Sequence, residues 1–535
     1  MGWDKERAVR NLYALGNLVV RIVGCVIFLC LARYSFRYTQ YMLPGGRELS
    51  VDVLDSRSGN ILGLAVAAGI MAVLLLVERY VDRGLQYILC RCSLVLTLVW
   101  FTVAGMWWIG SSAHIPVGDP AFIYGGASYF IEGNYDFLST GGYHSMHPHQ
   151  MGLTAIYELL FRVVGTYNYH AVEMLNLFFA LGSIYLGYRI LSEITGSTAA
   201  IVGYNILMLG CLPLIFYTPW VYGDIPSIFF ALLVEWALLR YLAERRNRHL
   251  VLMALALMLA LLVRKNSLIL LVAVGLTVLL HALLHRDMRI VLAFLLGAVL
   301  CYGSYEAVWK IYEIRSGYEN DGGIPIIAWV TMGMMENYGA YGWYNNYPKE
   351  VFYGEAAGSR EAVSAIAKRD LKKRLRAFAD DWGYAVHFFK GKLLSQWNEP
   401  LYQALYFNAE SPESEDGPAP DSLAARLYGE DYFKALHVCD RWQFIMYVGM
   451  LCYFLLAVKK DSPILQHVLA VTIIGGFFFS IIYEAKARYI FPYYVMMFPY
   501  ATYGYRLAVS QIMAMAGKHM KGRRVVDIEE GRKAA

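Results

Sequence analysis

The chain has 535 residues, 58% of them hydrophobic and only 17% charged, where a soluble protein carries about 25% charged residues. That balance excludes a soluble globular enzyme, and the lack of short alternating apolar segments excludes a membrane β-barrel. The net charge of +5 calls for no nucleic-acid partner, because the basic residues cluster at the ends of the apolar stretches.

Apolar runs of about 18 residues or more recur along the chain and predict an all-α polytopic membrane protein with about twelve transmembrane helices. The first, 14–34, contains Arg21 and has no small-residue cleavage site after it, so it reads as a retained span rather than a secretory signal. Further spans are expected at 60–77, 93–111, 172–192, 199–217, 225–243, 249–263, 267–284, 290–309, 441–458, 463–483 and 489–508. The eight cysteines form no framework. Five lie in spans, Cys439 starts a late span, and Cys90-Arg91-Cys92, expected on a basic loop, has neither metal-site nor redox spacing.

Short-loop Lys and Arg set the orientation. Lys5, Arg7 and Arg10, then Arg79, Arg83 and Arg91, Arg245, Arg246 and Arg248, Arg286 and Arg289, Lys459 and Lys460, and Lys518, Lys521, Arg523 and Arg524 all fall on one side if every span crosses. Both termini are then cytoplasmic. The expected organisation is an N-terminal transmembrane module, 1–309, with an outer loop at 112–171. An outer segment at 310–440, transmembrane helices over 441–510 and a cytoplasmic tail at 511–535 follow. The outer loop, rich in Tyr, Gly and His, is expected to form short interfacial helices. The outer segment is too long for a plain loop. It shows helical spacing from Arg360 to Trp397, with Ser359 as the N-cap. The acidic, Pro-containing run from Glu410 to Pro418 is expected to be mobile. No internal repeat suggests the inverted symmetry of a secondary transporter.

Ionisable residues at the outer ends of the spans carry the functional signal. Asp119, in the segment His114-Ile115-Pro116-Val117-Gly118-Asp119-Pro120, opens the outer loop. At the bilayer centre a charge would cost about 2.5–3.5 kcal/mol, so this carboxylate needs water or a partner. It suits a general base, and equally an N-cap ahead of Pro120. Arg264-Lys265-Asn266-Ser267 marks a tight outer turn, suited to phosphate contact or to plain snorkelling. Glu484-Ala485-Lys486-Ala487-Arg488 is another such turn. Glu484 and Arg488 either pair along one helical turn or act separately, Arg488 as a second phosphate clamp. Tyr217-Thr218-Pro219-Trp220-Val221-Tyr222-Gly223-Asp224 offers an aromatic platform and a carboxylate that orients a hydroxyl or caps the next span. His147 and His149 flank Pro148 without a metal-binding pattern, so hydrogen bonding is expected of them and no metal or other cofactor is expected.

These segments together resemble the bacterial membrane glycosyltransferases of the GT-C fold, related to protein O-mannosyltransferases and lipid A aminoarabinose transferases. The resemblance rests on Asp119 after an early span, on the Tyr143 to Gly152 stretch with His147-Pro148-His149-Gln150, and on Arg264-Lys265-Asn266-Ser267. Gln396-Trp397-Asn398-Glu399-Pro400 and Arg488-Tyr489-Ile490-Phe491-Pro492 complete it, over about 90–510. Two departures stand out: Pro120 replaces the second acidic residue frequent beside the catalytic Asp, and two spans precede the usual first one. The resemblance implies transfer of a sugar from a polyprenyl-phosphate donor to a lipid, glycan or protein acceptor at the outer membrane face. Asp119 would be the base, and Arg264, Lys265 and Arg488 would bind the donor phosphate. Tyr143, His147, His149, Gln150, Asp224 and Glu484 would contact substrate. The alternatives are a ligase or polymerase of lipid-linked oligosaccharides, and a lipid or solute transporter, which would place its charges near the bilayer midplane.

Overall fold

The structure is a computed structural model that describes residues 2–46, 48–337, 340–409, 418–419 and 421–533, with side chains from Glu6 to Ala516 within those ranges. The acidic run 410–417 and the side chains of the basic tail lie outside the described residues. Among the described residues, the regular secondary structure is helical apart from two short hairpins.

Helix α1 (Gly2–Ser35) leads through an antiparallel hairpin, β1 (Tyr38–Tyr41) and β2 (Val51–Leu54), into α2 (Arg57–Tyr80) and α3 (Arg83–Ser111). Ser56 and Asp82 begin the two helices. Each side chain accepts from the backbone N–H three residues on, at 3.2 and 3.0 Å, and so satisfies an otherwise orphaned donor. Because Asp82 caps α3 that early, Cys90-Arg91-Cys92 lies inside the helix and not on the loop expected for it, with Arg91 4.3 Å from the Tyr87 ring centre.

The segment expected to carry interfacial helices folds as α4 (Asp119–Ile131), α5 (Tyr143–Met146) and α6 (Met151–Val164). Next comes α7 (Tyr169–Thr195). The stretch read as one span at 199–217 is two helices, α8 (Thr198–Met208) and α9 (Leu212–Phe216). Pro213 has no N–H to continue a helical ladder, so the chain turns before it. Then follow α10 (Asp224–Glu244), α11 (Asn247–Val263), α12 (Leu268–His285) and α13 (Met288–Ser316).

The long segment after α13 contains α14 (Ile326–Met332), a two-residue hairpin of β3 (Glu336–Asn337) and β4 (Ala340–Tyr341), and α15 (Tyr347–Tyr353). It continues through α16 (Arg360–Asp380), α17 (Trp382–Trp397), α18 (Ala404–Ala409) and α19 (Leu423–Tyr428). Ser359 caps α16 as expected. The helical stretch breaks once, at Asp381, whose carboxylate caps α17 by accepting from Tyr384 N at 2.9 Å. Last come α20 (Tyr432–Leu456), α21 (Val468–Ile482) and α22 (Phe491–Lys533).

Among the described residues, eight helical segments are long and apolar enough to cross a membrane. They are Glu6–Ser35 of α1, then α2, α3, α7, α10 and α13, and the stretches Lys265–His285 and Ile464–Ile482 that contain α12 and α21. The four other expected spans are helical too. However, α8 and α11 are shorter, and α20 and α22 carry charged residues such as Lys434, Asp440, Arg441 and Arg506.

Helix α10 is the hub, with 14 of its 21 residues buried between α7, α11 and α22. Behind it α20 crosses α22 where Gly449 and Gly504 let the backbones touch; a Cβ on Gly504 would collide with the Gly449 carbonyl. Phe28 of α1 closes that side, stacked on Phe454 at 5.7 Å. One end of the bundle carries Asp287 paired with Arg245 at 3.0 Å and Glu244 paired with Arg248 at 2.7 Å. The other end carries the residues of the candidate site.

A buried network pins α4 and α6 to α13. Glu158 of α6 receives Arg315 at 2.9 and 3.0 Å, Arg162 at 2.5 Å and the Tyr312 hydroxyl, while Arg315 also donates to Phe130 O at 2.9 Å. Burial alone would raise the Glu158 carboxyl. Arg315, Tyr312 and Arg162 outweigh it and hold the group below the usual glutamate range. Arg315→Met is expected to cost about 1.5–3 kcal/mol, because buried Glu158 loses its charge-assisted hydrogen bonds from Arg315 and keeps only Arg162 and Tyr312. Thermal unfolding of the detergent-purified protein measures it. A depressed carboxylate contributes stability above its unfolded pKa and loses it as pH falls, so the gap between wild type and variant should shrink on acidification.

Candidate functional site

Two helices begin at this end in the same way. Gly118 (φ 59°) precedes Asp119-Pro120 at the start of α4, and Gly223 (φ 81°) precedes Asp224 at the start of α10. Left-handed glycine at both places lets the chain turn sharply so that the carboxylate sits at the first helical position. Neither aspartate caps its own helix. Their side chains are therefore available to partners elsewhere.

Asp119 Oδ2 accepts from the Tyr222 hydroxyl at 2.9 Å, and Tyr222 in turn accepts from Gln150 Nε2 at 2.6 Å. The Gln150 that anchors this relay ends the turn Pro148–Gln150 and donates its backbone N–H to His147 O at 3.0 Å, and the rings of Tyr143 and His147 are 4.9 Å apart. Phe122 of α4 stacks on Tyr143 at 4.7 Å and fixes the ring next to Asp119. Burial raises the Asp119 carboxyl, but nearby His147 and Arg488, the Tyr222 hydroxyl and Lys486 overcome it and hold the group below the usual aspartate range. It is a carboxylate at neutral pH. Burial lowers all three neighbouring histidines, His147 against the pull of Asp119 and His144 and His149 to about 3, so at neutral pH His144 and His149 are hydrogen-bonding groups without charge.

Asp224 and Arg264 form a buried ion pair of 2.7 Å, with side-chain exposures of 0% and 8%. The contact is ionic, since neither Asp224 oxygen has a hydrogen-bond partner of good geometry. Arg264 also lies 5.8 Å from the Tyr222 ring centre and reaches the Tyr222 carbonyl at 3.4 Å. The pair sits below Tyr222 and holds the segment that presents its hydroxyl to Asp119.

The turn between α21 and α22 supplies the opposing charge. Arg488, 3% exposed, is boxed by the rings of Tyr222 at 4.6 Å, Phe407 at 5.2 Å, Trp220 at 5.3 Å and Tyr489 at 5.5 Å. Its Nε has no hydrogen-bond partner, and it makes no ion pair among the described residues. Such a desolvated guanidinium keeps unused donor capacity that an anion would satisfy. Lys486 beside it pairs with Glu48 at 2.8 Å. Glu484, buried and accepting from Tyr489 at 2.9 Å, is raised by desolvation in spite of Lys486.

These groups line one chamber of about 300 Å³, with Asp119, His147, His149, Glu484 and Arg488 in its wall. Tyr143, Gln150, Asp224 and Arg264 stand behind that wall. Lys265 lies instead in a second cavity of about 570 Å³, between Ile269, Val272 and Leu276 of α12 and Val471, Gly475 and Phe479 of α21. His149, Trp329 and Tyr483 border both spaces, so the apolar groove and the charged chamber adjoin. No group of three or more His, Cys, Asp or Glu among the described residues is placed to hold a metal ion.

Among the chamber residues that sequence reasoning did not single out are Tyr222, Lys486, Glu48, Lys349 and Trp329. Tyr222 and Lys486 lie within segments that drew attention, and their position opposite Asp119 separates them from ordinary interfacial residues. Glu48, on the β1–β2 loop, and Lys349, on α15, come from distant parts of the chain with no local signal.

Residues 58–509 match the sequence model of a family described as conserved hypothetical integral membrane protein. No curated protein matches the chain, and no solved structure matches it.

Arg264→Met should strand buried Asp224 and cost about 3–5 kcal/mol. The double variant Asp224→Asn with Arg264→Met should regain most of that loss. Unfolding temperatures of the two proteins and the wild type form the test.

Proposed function

The chain belongs to the family of conserved hypothetical integral membrane proteins, and we propose that its chamber is the active site of a membrane glycosyltransferase. In this reading a sugar passes from a polyprenyl-phosphate donor to a lipid, glycan or protein acceptor at the outer membrane face, on a GT-C-like architecture. One observation carries the reading: an ionised carboxylate, Asp119, and a desolvated guanidinium, Arg488, with no ion pair among the described residues, face one chamber that adjoins an apolar groove. A base and an anion receptor beside a lipid-sized slot are the parts that transfer from a lipid phosphate requires.

The step follows from these parts. Asp119 takes the proton of the acceptor hydroxyl as its oxygen attacks the anomeric carbon. The bond from that carbon to the phosphate oxygen breaks, and its electron pair leaves on the phosphate. Arg488 neutralises the charge that develops there, an electrostatic contribution made before reaction begins. Attack opposite the leaving group inverts the anomeric centre. Tyr222 and Gln150 orient the carboxylate, and Asp224 with Arg264 holds Tyr222 in place. The groove between α12 and α21 takes the prenyl chain, with Lys265 at its polar end. The small chamber favours a monosaccharide over the oligosaccharide of the ligase reading. The basic residues at the opposite end of the bundle support a cytoplasmic location for both chain ends.

Asp119→Asn should reduce transfer from polyprenyl-phosphate sugars about 10²–10⁴-fold while the protein stays folded. Undiminished transfer removes Asp119 from the mechanism. The active form of Asp119 is the carboxylate, whose pKa lies below the usual range, and His144 and His149 stay neutral. The wild-type rate should therefore show no inflection near pH 6.5. A pH profile of transfer with an acid limb near 6.5 would count against this assignment.

A further inference from the structure

Three carboxylates, Glu48, Asp119 and Glu484, line the chamber against three cations, Lys349, Lys486 and Arg488. A phosphate carrying up to two negative charges would leave that enclosed space with excess negative charge unless one carboxylate withdrew or took a proton. Asp119 is held ionised by its neighbours, and Glu484 is 4% exposed and tied to Tyr489. Glu48 differs from both.

Glu48 sits on the loop between β1 and β2, outside the 58–509 region that matches the family. Its side chain is 25% exposed, and Oε1 holds Lys486 Nζ at 2.8 Å and Gln403 Nε2 at 3.0 Å. The hairpin is anchored to the bundle mainly on the β1 side: Gln40 N donates to Asn398 O at 2.9 Å, and Tyr432 Oη donates to Met42 O at 2.8 Å. The loop that follows Met42 carries Glu48 to the chamber. Gln403 also accepts from the Arg488 backbone N–H at 3.2 Å, so Glu48 is wired to the same turn that presents Arg488.

Resting on the phosphate-binding part of the reading above, we propose that Glu48 is an internal counter-anion of the chamber, exchanged at Lys486 for the phosphate group of an incoming ligand. The exchange makes the β1–β2 loop a specificity element. A phosphate ligand gains both Lys486 and Arg488, whereas an uncharged ligand cannot displace Glu48. Lys486 is then a second phosphate ligand, supplied only when the loop carboxylate gives way. The ligand chemistry is a phosphate group: the diester of the donor, the monoester left after transfer, or inorganic phosphate.

Calorimetric titration of the detergent-purified full chain with inorganic phosphate and with farnesyl phosphate tests the exchange. Glu48→Gln should tighten phosphate binding about tenfold by freeing Lys486 without loss of volume. Lys486→Met should weaken binding, and the double variant should show no gain over Lys486→Met alone. Tightening with farnesyl phosphate supports the exchange with a lipid phosphate as ligand. Tightening with inorganic phosphate alone supports it with free phosphate as ligand. Wild-type binding that Glu48→Gln leaves unchanged or weakens overturns the exchange and leaves Arg488 as an anion receptor. Binding of neither ligand by any of the four folded proteins overturns both the exchange and the phosphate-binding reading.

Discussion

Burying a charge costs several kcal/mol unless partners replace the water it loses, and the architecture at one end of this bundle is organised around that constraint. Asp119 and Arg488 face the same chamber, yet they meet the cost differently. Asp119 is held by the Tyr222 hydroxyl, with cations nearby. Arg488 has four aromatic rings about it and no carboxylate paired to it among the described residues. Cation–ring attraction offsets part of the lost hydration but leaves the hydrogen-bonding capacity of Nε unused. An anion of suitable shape would satisfy it.

The support behind the chamber is equally a matter of compensated burial. Asp224 and Arg264 neutralise each other beneath Tyr222, and Glu158 gathers Arg162, Arg315 and Tyr312 where α6 meets α13. The first pair ties the start of α10 to the turn after α11, and the second network fixes the short helices α4 and α6 against α13. Short helices of 4 to 14 residues would not hold their geometry by hydrogen bonding alone, so tertiary pairing places Asp119.

The adjoining cavities divide two environments across a narrow border. Ile269, Val272 and Phe479 line a groove suited to a hydrocarbon chain, and His149, Trp329 and Tyr483 separate it from the charged chamber. A ligand with a long apolar tail and an anionic head would fill both spaces at once. Neither space alone specifies such a ligand. Their adjacency does.

Much of this was legible in the order of residues. Apolar runs at helical length located the helices, because every backbone group removed from water must be paired within its own segment. Ser359 announced α16, and the segments around Asp119, 147–150, 264 and 484–488 stood out as charge or polarity where an apolar chain has little use for it. The sequence could not say that Asp224 would claim Arg264, that Lys265 would turn into the apolar groove, or that Glu48 would arrive 438 positions away to meet Lys486. Composition and periodicity determine which segments leave water, since hydrophobic transfer is additive along the chain. Which buried charge meets which partner depends on helix packing and short turns, and only the tertiary structure decided it, because Coulomb energy depends on distance in space.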